Sequence, residues 1–161
     1  MKLFLSRDTT MPHSRFVVAD KCGHTKYVVT GKGTATIQHL VISAADGNSL
    51  VSIRVAPFSF FSAFVVSDYA ERFLLVANHQ KIEYKFHGIS WTLCRSRDTR
   101  SFEIFDADGT PVMLQLADNF ISKGYYELDI FSEQRELFCI AAAICADMVN
   151  LADAAFPATA Q

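Results

Sequence analysis

Short runs of apolar residues recur along most of the chain, and polar turns containing Asp or Gly separate them. Phe16-Val17-Val18-Ala19-Asp20 has a close copy in Phe64-Val65-Val66-Ser67-Asp68 and a looser one in Phe102-Glu103-Ile104-Phe105-Asp106. Each copy precedes a turn and a second apolar run. This order predicts β-hairpins, because Gly accepts a positive φ and Asp hydrogen-bonds its own backbone in a turn.

The number and spacing of these runs predict the architecture of the sheet. Spacing gives about a dozen candidate strands between Leu3 and Phe131. Lys81 to Phe86 alternates polar and apolar residues strictly, which is typical of a strand with one buried and one solvated face. Many short strands joined by short turns favour a sandwich or a barrel, and closure into a barrel removes exposed edges.

The pattern changes to a helical one after Phe131. Ser132 is a candidate helix cap, and Glu133 and Glu136 place negative charge at the positive end of a helix. The run from Leu137 to Ala146 has no polar side chain. A helix that is apolar on every face must be surrounded by other groups. The run of about ten residues is too short to span a bilayer, which needs about twenty, so protein must surround it.

Asp147 follows the apolar run and has two interpretations. It is either buried beside a partner such as an arginine, or it marks the point where the helix leaves the barrel. Because an unpaired buried carboxylate is costly, emergence is the favoured expectation. Together the patterns predict a mainly β (α+β) fold in a single domain of residues 1–161. About twelve antiparallel strands form its sandwich or barrel, and a buried hydrophobic C-terminal helix is predicted at about 133–155.

Composition agrees with one folded domain. The chain has 161 residues, of which 50% are hydrophobic, and this excludes a disordered protein. A net charge of −2 gives no electrostatic case for nucleic acid binding. Charge returns soon after the first apolar residues, so no signal peptide is predicted. The four cysteines have neither disulfide-framework nor CxxC zinc spacing. We therefore expect a cytoplasmic protein, with peripheral attachment to a membrane left open.

The closing part of the chain has a characteristic order of segments. A hairpin over Phe102–Leu116 contains the turn Asp106-Ala107-Asp108-Gly109, and Asp118-Asn119-Phe120 follows. Then come Tyr126-Glu127-Leu128-Asp129-Ile130 and an apolar helix with the late acid Asp147. This order resembles the tubby-like superfamily, which includes the LURP-one-related proteins and the phospholipid scramblases. The resemblance covers roughly residues 16–150. It implies a closed barrel of about twelve antiparallel strands around a central hydrophobic C-terminal helix.

The resemblance implies more than one role. Tubby domains bind phosphoinositides through basic patches, which require several converging cations. The candidate headgroup residues here form two groups. They are Arg95, Arg97 and Arg100 in one predicted connection, and Lys21, Lys26 and Lys32 along another hairpin. The alternative for each group is an ordinary solvated turn. No tubby headgroup motif aligns with them residue by residue.

Metal binding is the second candidate chemistry. The scramblase resemblance points to Asp118, Asn119 and Asp129 as calcium ligands. Calcium takes about six to eight oxygen ligands, and Leu116 stands where the scramblase segment offers a further acid, so this set is incomplete. Cys22 and His24 form a second incomplete pair, for which an exposed turn histidine is the favoured interpretation.

No catalytic motif is present in the sequence, since it contains no nucleophile elbow, P-loop or dinucleotide fingerprint. We therefore predict a non-enzymatic binding module of LURP-one-related or tubby-like type. It would contact membrane lipid headgroups or a partner protein through outer loops, without a cofactor, nucleic acid or transmembrane segment. The alternative is a scramblase-like phospholipid-handling protein with weak calcium binding.

Overall fold

Twelve strands, a short 3₁₀ turn and one helix make up the described part of the chain. A computed structural model describes residues 1–8, 14–33, 38–57, 61–78, 83–96, 101–117 and 125–155. The strands are β1 (Lys2–Arg7), β2 (Ser14–Asp20), β3 (Thr25–Gly33), β4 (Gln38–Ala44), β5 (Ser49–Pro57), β6 (Phe61–Ser67), β7 (Arg72–Asn78), β8 (Glu83–His87), β9 (Thr92–Arg95), β10 (Phe102–Phe105), β11 (Pro111–Ala117) and β12 (Tyr125–Ile130). A 3₁₀ turn at Glu133–Arg135 precedes α1 (Glu136–Ala155).

The strands form one antiparallel sheet that curves into a nearly closed barrel. β1 pairs with β2 on one side and with β12 on the other, which brings distant parts of the chain together. β8 and β9 are the two edges of the sheet, and they contact each other across the seam. The prediction of a mainly β barrel of twelve antiparallel strands is confirmed.

The inner face of the wall packs around α1. Strands β6 and β7 alternate between buried and more exposed residues, as a curved sheet with one inner face requires. Every residue of α1 from Phe138 to Asp147 is buried, so the helix is surrounded as predicted. Ala141, Ala142 and Ala143 are fully buried, and their small side chains let the wall approach the helix closely.

One end of the barrel holds the start of α1, and we call it the helix-start end. The short turns at 21–24, 45–48, 68–71, 88–91 and 106–110 all lie at this end because the strands run up and down in order. Side-chain contacts confirm the placement. Tyr27 donates a hydrogen bond to Glu136 at 2.9 Å, and Arg135 is paired with Glu71.

The expectation that Asp147 marks the emergence of the helix is wrong. Its side chain is buried, with 0% of the residue exposed. Arg7, at the end of β1, donates to Oδ2 of Asp147 from Nη2 at 2.6 Å and from Nε at 3.1 Å. The hydroxyl of Tyr126 donates to Oδ1. The cost of burying the carboxylate is offset because a cation and a hydroxyl satisfy both oxygens.

The four cysteines divide into two buried and two exposed thiols. Burial raises the pKa of Cys139 to about 12 and also raises the pKa of Cys145, so neither forms a reactive thiolate at neutral pH. We expect a disulfide reagent to label only Cys22 and Cys94 in the folded protein, and all four thiols after denaturation. Mass spectrometry of the labelled peptides measures this. Labelling of Cys139 in native buffer as fast as that of Cys94 would contradict the buried helix.

Candidate functional site

An open cleft of about 820 Å³ lies at the helix-start end beside the seam between β8 and β9. The turns 88–91 and 106–110, the start of β7 and the link from β12 to α1 form its walls. Its volume falls in the range of about 300–1,000 Å³ that is common for ligand sites. We call it the helix-start cleft.

The floor of the helix-start cleft is aromatic. Trp91, 8% exposed, packs edge-on against Phe86 with ring centroids 5.7 Å apart, and Phe138 of α1 also lines the cleft. At the rim, Phe131 is 55% exposed. Its backbone N–H donates to the carbonyl of Val112 at 2.9 Å, which holds the residue in place. An exposed aromatic side chain on a fixed backbone is typical of the anchors at protein interfaces.

The charged residues of the helix-start cleft have both signs. Arg72 and the Arg135–Glu71 ion pair line it on one side. Asp106 and Asp108 line it on the other, in the turn between β10 and β11. A multiply charged phosphate requires converging cations, whereas these acids would repel it. The cleft is therefore better suited to a ligand that carries charges of both signs.

Two of the predicted headgroup residues, Lys21 and Lys26, lie at the helix-start end. Lys21 is exposed in the turn between β2 and β3. Lys26 is paired with Glu136, whose Oε1 lies 2.5 Å from Nζ. Glu136 also accepts the hydroxyl of Tyr27, and burial together with this carboxylate raises the pKa of Tyr27. The ammonium of Lys26 thus serves to hold the start of the helix against the wall.

The other predicted headgroup residues lie elsewhere. Arg95 ends β9 and Lys32 lies near the end of β3, both at the barrel end opposite the helix start. Arg97 and Arg100 lie outside the described residues, as does the side chain of Lys32. Headgroup binding by the six residues therefore stays a prediction.

The calcium candidates are described only in part. Asp118 and Asn119 lie outside the described residues. Asp129, on β12, has a carboxylate oxygen 3.8 Å from the amino group of Met1. Its register partner on β11 is Leu114. Leu114 lies three residues, or about 10 Å along the strand, before Ala117, the last described residue of β11. Calcium binding by these residues also stays a prediction.

His39 and Ser52 bring an imidazole and a hydroxyl into contact on the barrel wall. His39 Nε2 and Ser52 Oγ are 2.8 Å apart, on neighbouring strands β4 and β5. Both strands pair with neighbours on each side. Their backbone N–H groups are therefore engaged in the sheet and do not form an oxyanion hole. The contact is explained as a hydrogen bond of the barrel wall.

Arg72, Trp91 and Phe131 line the helix-start cleft, yet sequence reasoning did not single them out. They come from three segments that meet only when the barrel curves. One signal was present in the sequence. Phe131 lies between β12 and the 3₁₀ turn, where neither the alternation of a strand nor the periodicity of a helix requires a large apolar residue. An aromatic side chain at such a junction indicates either a core contact or an exposed anchor, and only the structure distinguishes these.

Comparison with known proteins agrees with this architecture. A family model described as LURP-one-related matches residues 1–147, which include all twelve strands and α1 as far as Asp147. No curated protein and no solved structure gives a significant match. Among the described residues, no helix has the length and apolar character needed to cross a membrane.

Proposed function

Because the chain belongs to the LURP-one-related family, we propose that it is a non-enzymatic, tubby-like binding module whose helix-start cleft takes a segment of a partner protein. The observation that carries this proposal is the pairing of the exposed anchor Phe131 with cleft walls of both charges. The complementary segment has an apolar side chain to cover Phe131 and Trp91. It also has a basic residue opposite Asp106 and Asp108, and an acidic residue opposite Arg72.

The charges at this end favour a protein ligand over a lipid headgroup. Two of its cations, Lys26 and Arg135, are already paired with Glu136 and Glu71. The scramblase-like alternative has no supporting contact in the described residues. The four free thiols support a reducing, cytoplasmic location for a one-domain protein. The vesicle sedimentation described below tests for peripheral contact with a membrane.

The non-enzymatic part of the proposal rests on how the side chains are used. Asp147, the acid of α1 with 0% exposure, is engaged by Arg7 and Tyr126. The histidine and serine that meet, His39 and Ser52, lie on the outer wall without an oxyanion hole. Binding to a partner requires none of these groups to react.

Selection from a random-peptide library against the full chain tests the proposal. We expect selected peptides to carry an apolar residue flanked by opposite charges. Trp91 is the single tryptophan of the chain and lies in the cleft, so its fluorescence should change as such a peptide is titrated. Arg72→Glu is expected to weaken binding more than about tenfold, since it places a like charge opposite the acidic flank. Phe131→Ser should weaken it by a similar factor.

Arg54→Glu is the matched control because Arg54 is exposed on β5 and does not line the cleft. It should leave the peptide affinity unchanged. Vesicles with and without anionic lipid form a second arm. Failure to select any peptide, together with Arg72-dependent sedimentation on anionic vesicles, would overturn the protein ligand in favour of lipid. Equal peptide affinity of Arg72→Glu and Arg54→Glu would remove the cleft as the site.

A further inference from the structure

The turn between β2 and β3 gathers three different metal-ligating side chains. Asp20, Cys22 and His24 each offer a ligand atom, and these atoms all lie within 4.8 Å of one another. The sequence shows Cys22 and His24 as an incomplete pair. The structure adds Asp20, because the backbone N–H of Asp20 donates to the carbonyl of His24 at 2.9 Å and so closes the turn.

Hydrogen bonds within the turn hold this arrangement. Oδ1 of Asp20 accepts the backbone N–H groups of Cys22 at 2.8 Å and of His24 at 3.0 Å. Gly23 has a φ of +83°, a backbone conformation that glycine adopts readily and other residues rarely do. Oδ2 of Asp20 is left facing His24 Nδ1 at 3.4 Å. One carboxylate oxygen thus builds the turn while the other is directed toward the imidazole.

The chemistry of the three groups selects a class of metal. A thiolate, an imidazole and a carboxylate form a ligand set typical of zinc and related transition metals, whereas calcium and magnesium prefer oxygen ligands alone. The backbone hydrogen bond from His24 is the largest influence that lowers the pKa of Asp20, so this group is a carboxylate at neutral pH. Ligand atoms of a tetrahedral ion lie roughly 3–4 Å apart, as expected for metal bonds of about 2.0–2.3 Å.

The surroundings leave the site accessible. Asp20, Cys22 and His24 line a surface cavity of about 460 Å³, with room for a water molecule as a further ligand. Two lysines of this cavity are paired with acids, Lys2 with Glu127 and Lys26 with Glu136. Lys21 is exposed and its side chain can turn toward solvent.

We propose that Asp20, Cys22 and His24 form a surface site for a zinc-class divalent transition metal, with water completing a four-coordinate ion. The site is separate from the helix-start cleft and does not depend on the function proposed for it.

Titration of the reduced, metal-free full chain with Co²⁺ tests the site. We expect a thiolate-to-cobalt charge-transfer band that saturates at one ion per chain and disappears when Zn²⁺ is added. Cys22→Ser should abolish the band, whereas Cys94→Ser should retain it, because Cys94 is the other exposed cysteine. His24→Ala should raise the Co²⁺ concentration for half saturation by more than about tenfold.

The variant Asp20→Asn distinguishes loss of a metal ligand from loss of the turn. An asparagine oxygen can still accept the two backbone N–H groups, so the hairpin is retained while the charged ligand is lost. We expect an unchanged circular dichroism spectrum and a more than about tenfold weaker Co²⁺ affinity. Absence of a thiolate band in the wild-type protein, or its survival in Cys22→Ser, would overturn the proposal. Unchanged affinity in both Asp20→Asn and His24→Ala would reduce the site to a lone reactive thiol and overturn it as well.

Discussion

Replacing Arg7 by methionine is expected to lower the free energy of unfolding by about 3–5 kcal/mol. Arg7, the last residue of β1, holds Oδ2 of Asp147, whose side chain is only 1% exposed. Methionine fills much of the space of the aliphatic stem but leaves the carboxylate without its cation. The hydroxyl of Tyr126 remains as the partner of the other oxygen and cannot neutralise the charge. Urea unfolding followed by circular dichroism and Trp91 fluorescence measures the loss.

Two variants show whether this loss comes from the buried charge. Arg54→Met removes an exposed arginine of β5 and should change stability by no more than about 0.5 kcal/mol. The triple variant Arg7→Met/Tyr126→Phe/Asp147→Leu removes the whole network and should regain most of the stability, because apolar groups often replace a buried ion pair without loss. An Arg7→Met protein as stable as Arg54→Met would refute the buried pair.

Phe73→Ala is the second large change, with an expected loss of about 3–5 kcal/mol. Phe73 is 2% exposed and joins the helix to the open seam of the barrel. Its ring lies 5.2 Å from that of Phe138 in α1, 5.7 Å from Phe86 in β8 and 6.0 Å from Trp91. The seam between β8 and β9 has no hydrogen-bonded ladder in the described residues, so packing of these rings helps to hold it.

The matched control for this change is Tyr69→Ala. Tyr69 is 94% exposed in the turn before β7, so removing its ring should change stability by about 0.5 kcal/mol or less. Phe73→Ala should also shift the emission of Trp91 to longer wavelength, because the tryptophan loses a packing partner and gains water. A stability loss without any change in Trp91 emission would show that the seam does not depend on the aromatic cluster.

The position of α1 limits where function can reside. Its residues from Phe138 to Asp147 are used to fill the barrel, and the acid among them is paired. The surfaces left for ligands are the outer wall and the two ends. The helix-start cleft and the Asp20-Cys22-His24 turn both lie at the helix-start end. They use different residues and different chemistry, so each can be tested without altering the other.

Gln115 shows where alternation along a strand stops being a guide to burial. A bulge between β10 and β11 places Val112 and Met113 both inside. As a result Gln115 is 0% exposed, whereas Leu116 is 41% exposed. Within the described part of the chain, neither the nitrogen nor the oxygen of the Gln115 amide has a hydrogen-bond partner. The sequence carries no sign of this bulge, because it depends on the register with β10.

The hairpins and the surrounded helix were predictable because they follow from local periodicity. Runs such as Phe16–Asp20 suit a strand ending in a turn, and the run Leu137–Ala146 has no polar face to offer to water. The sequence by itself therefore determined the succession of about a dozen strands and the helix that other groups must surround. Those features require only neighbours in the chain and the removal of apolar surface from water.

The tertiary structure alone decided which polar groups meet. Arg7 and Asp147 are 140 residues apart in sequence, and no local pattern indicates that they form a pair. Arg72, Trp91 and Phe131 line one cleft, although they come from three segments that meet only when the sheet curves. A side chain's partners depend on the position of the whole backbone in space, and for residues far apart in the chain that position is set only when the barrel closes.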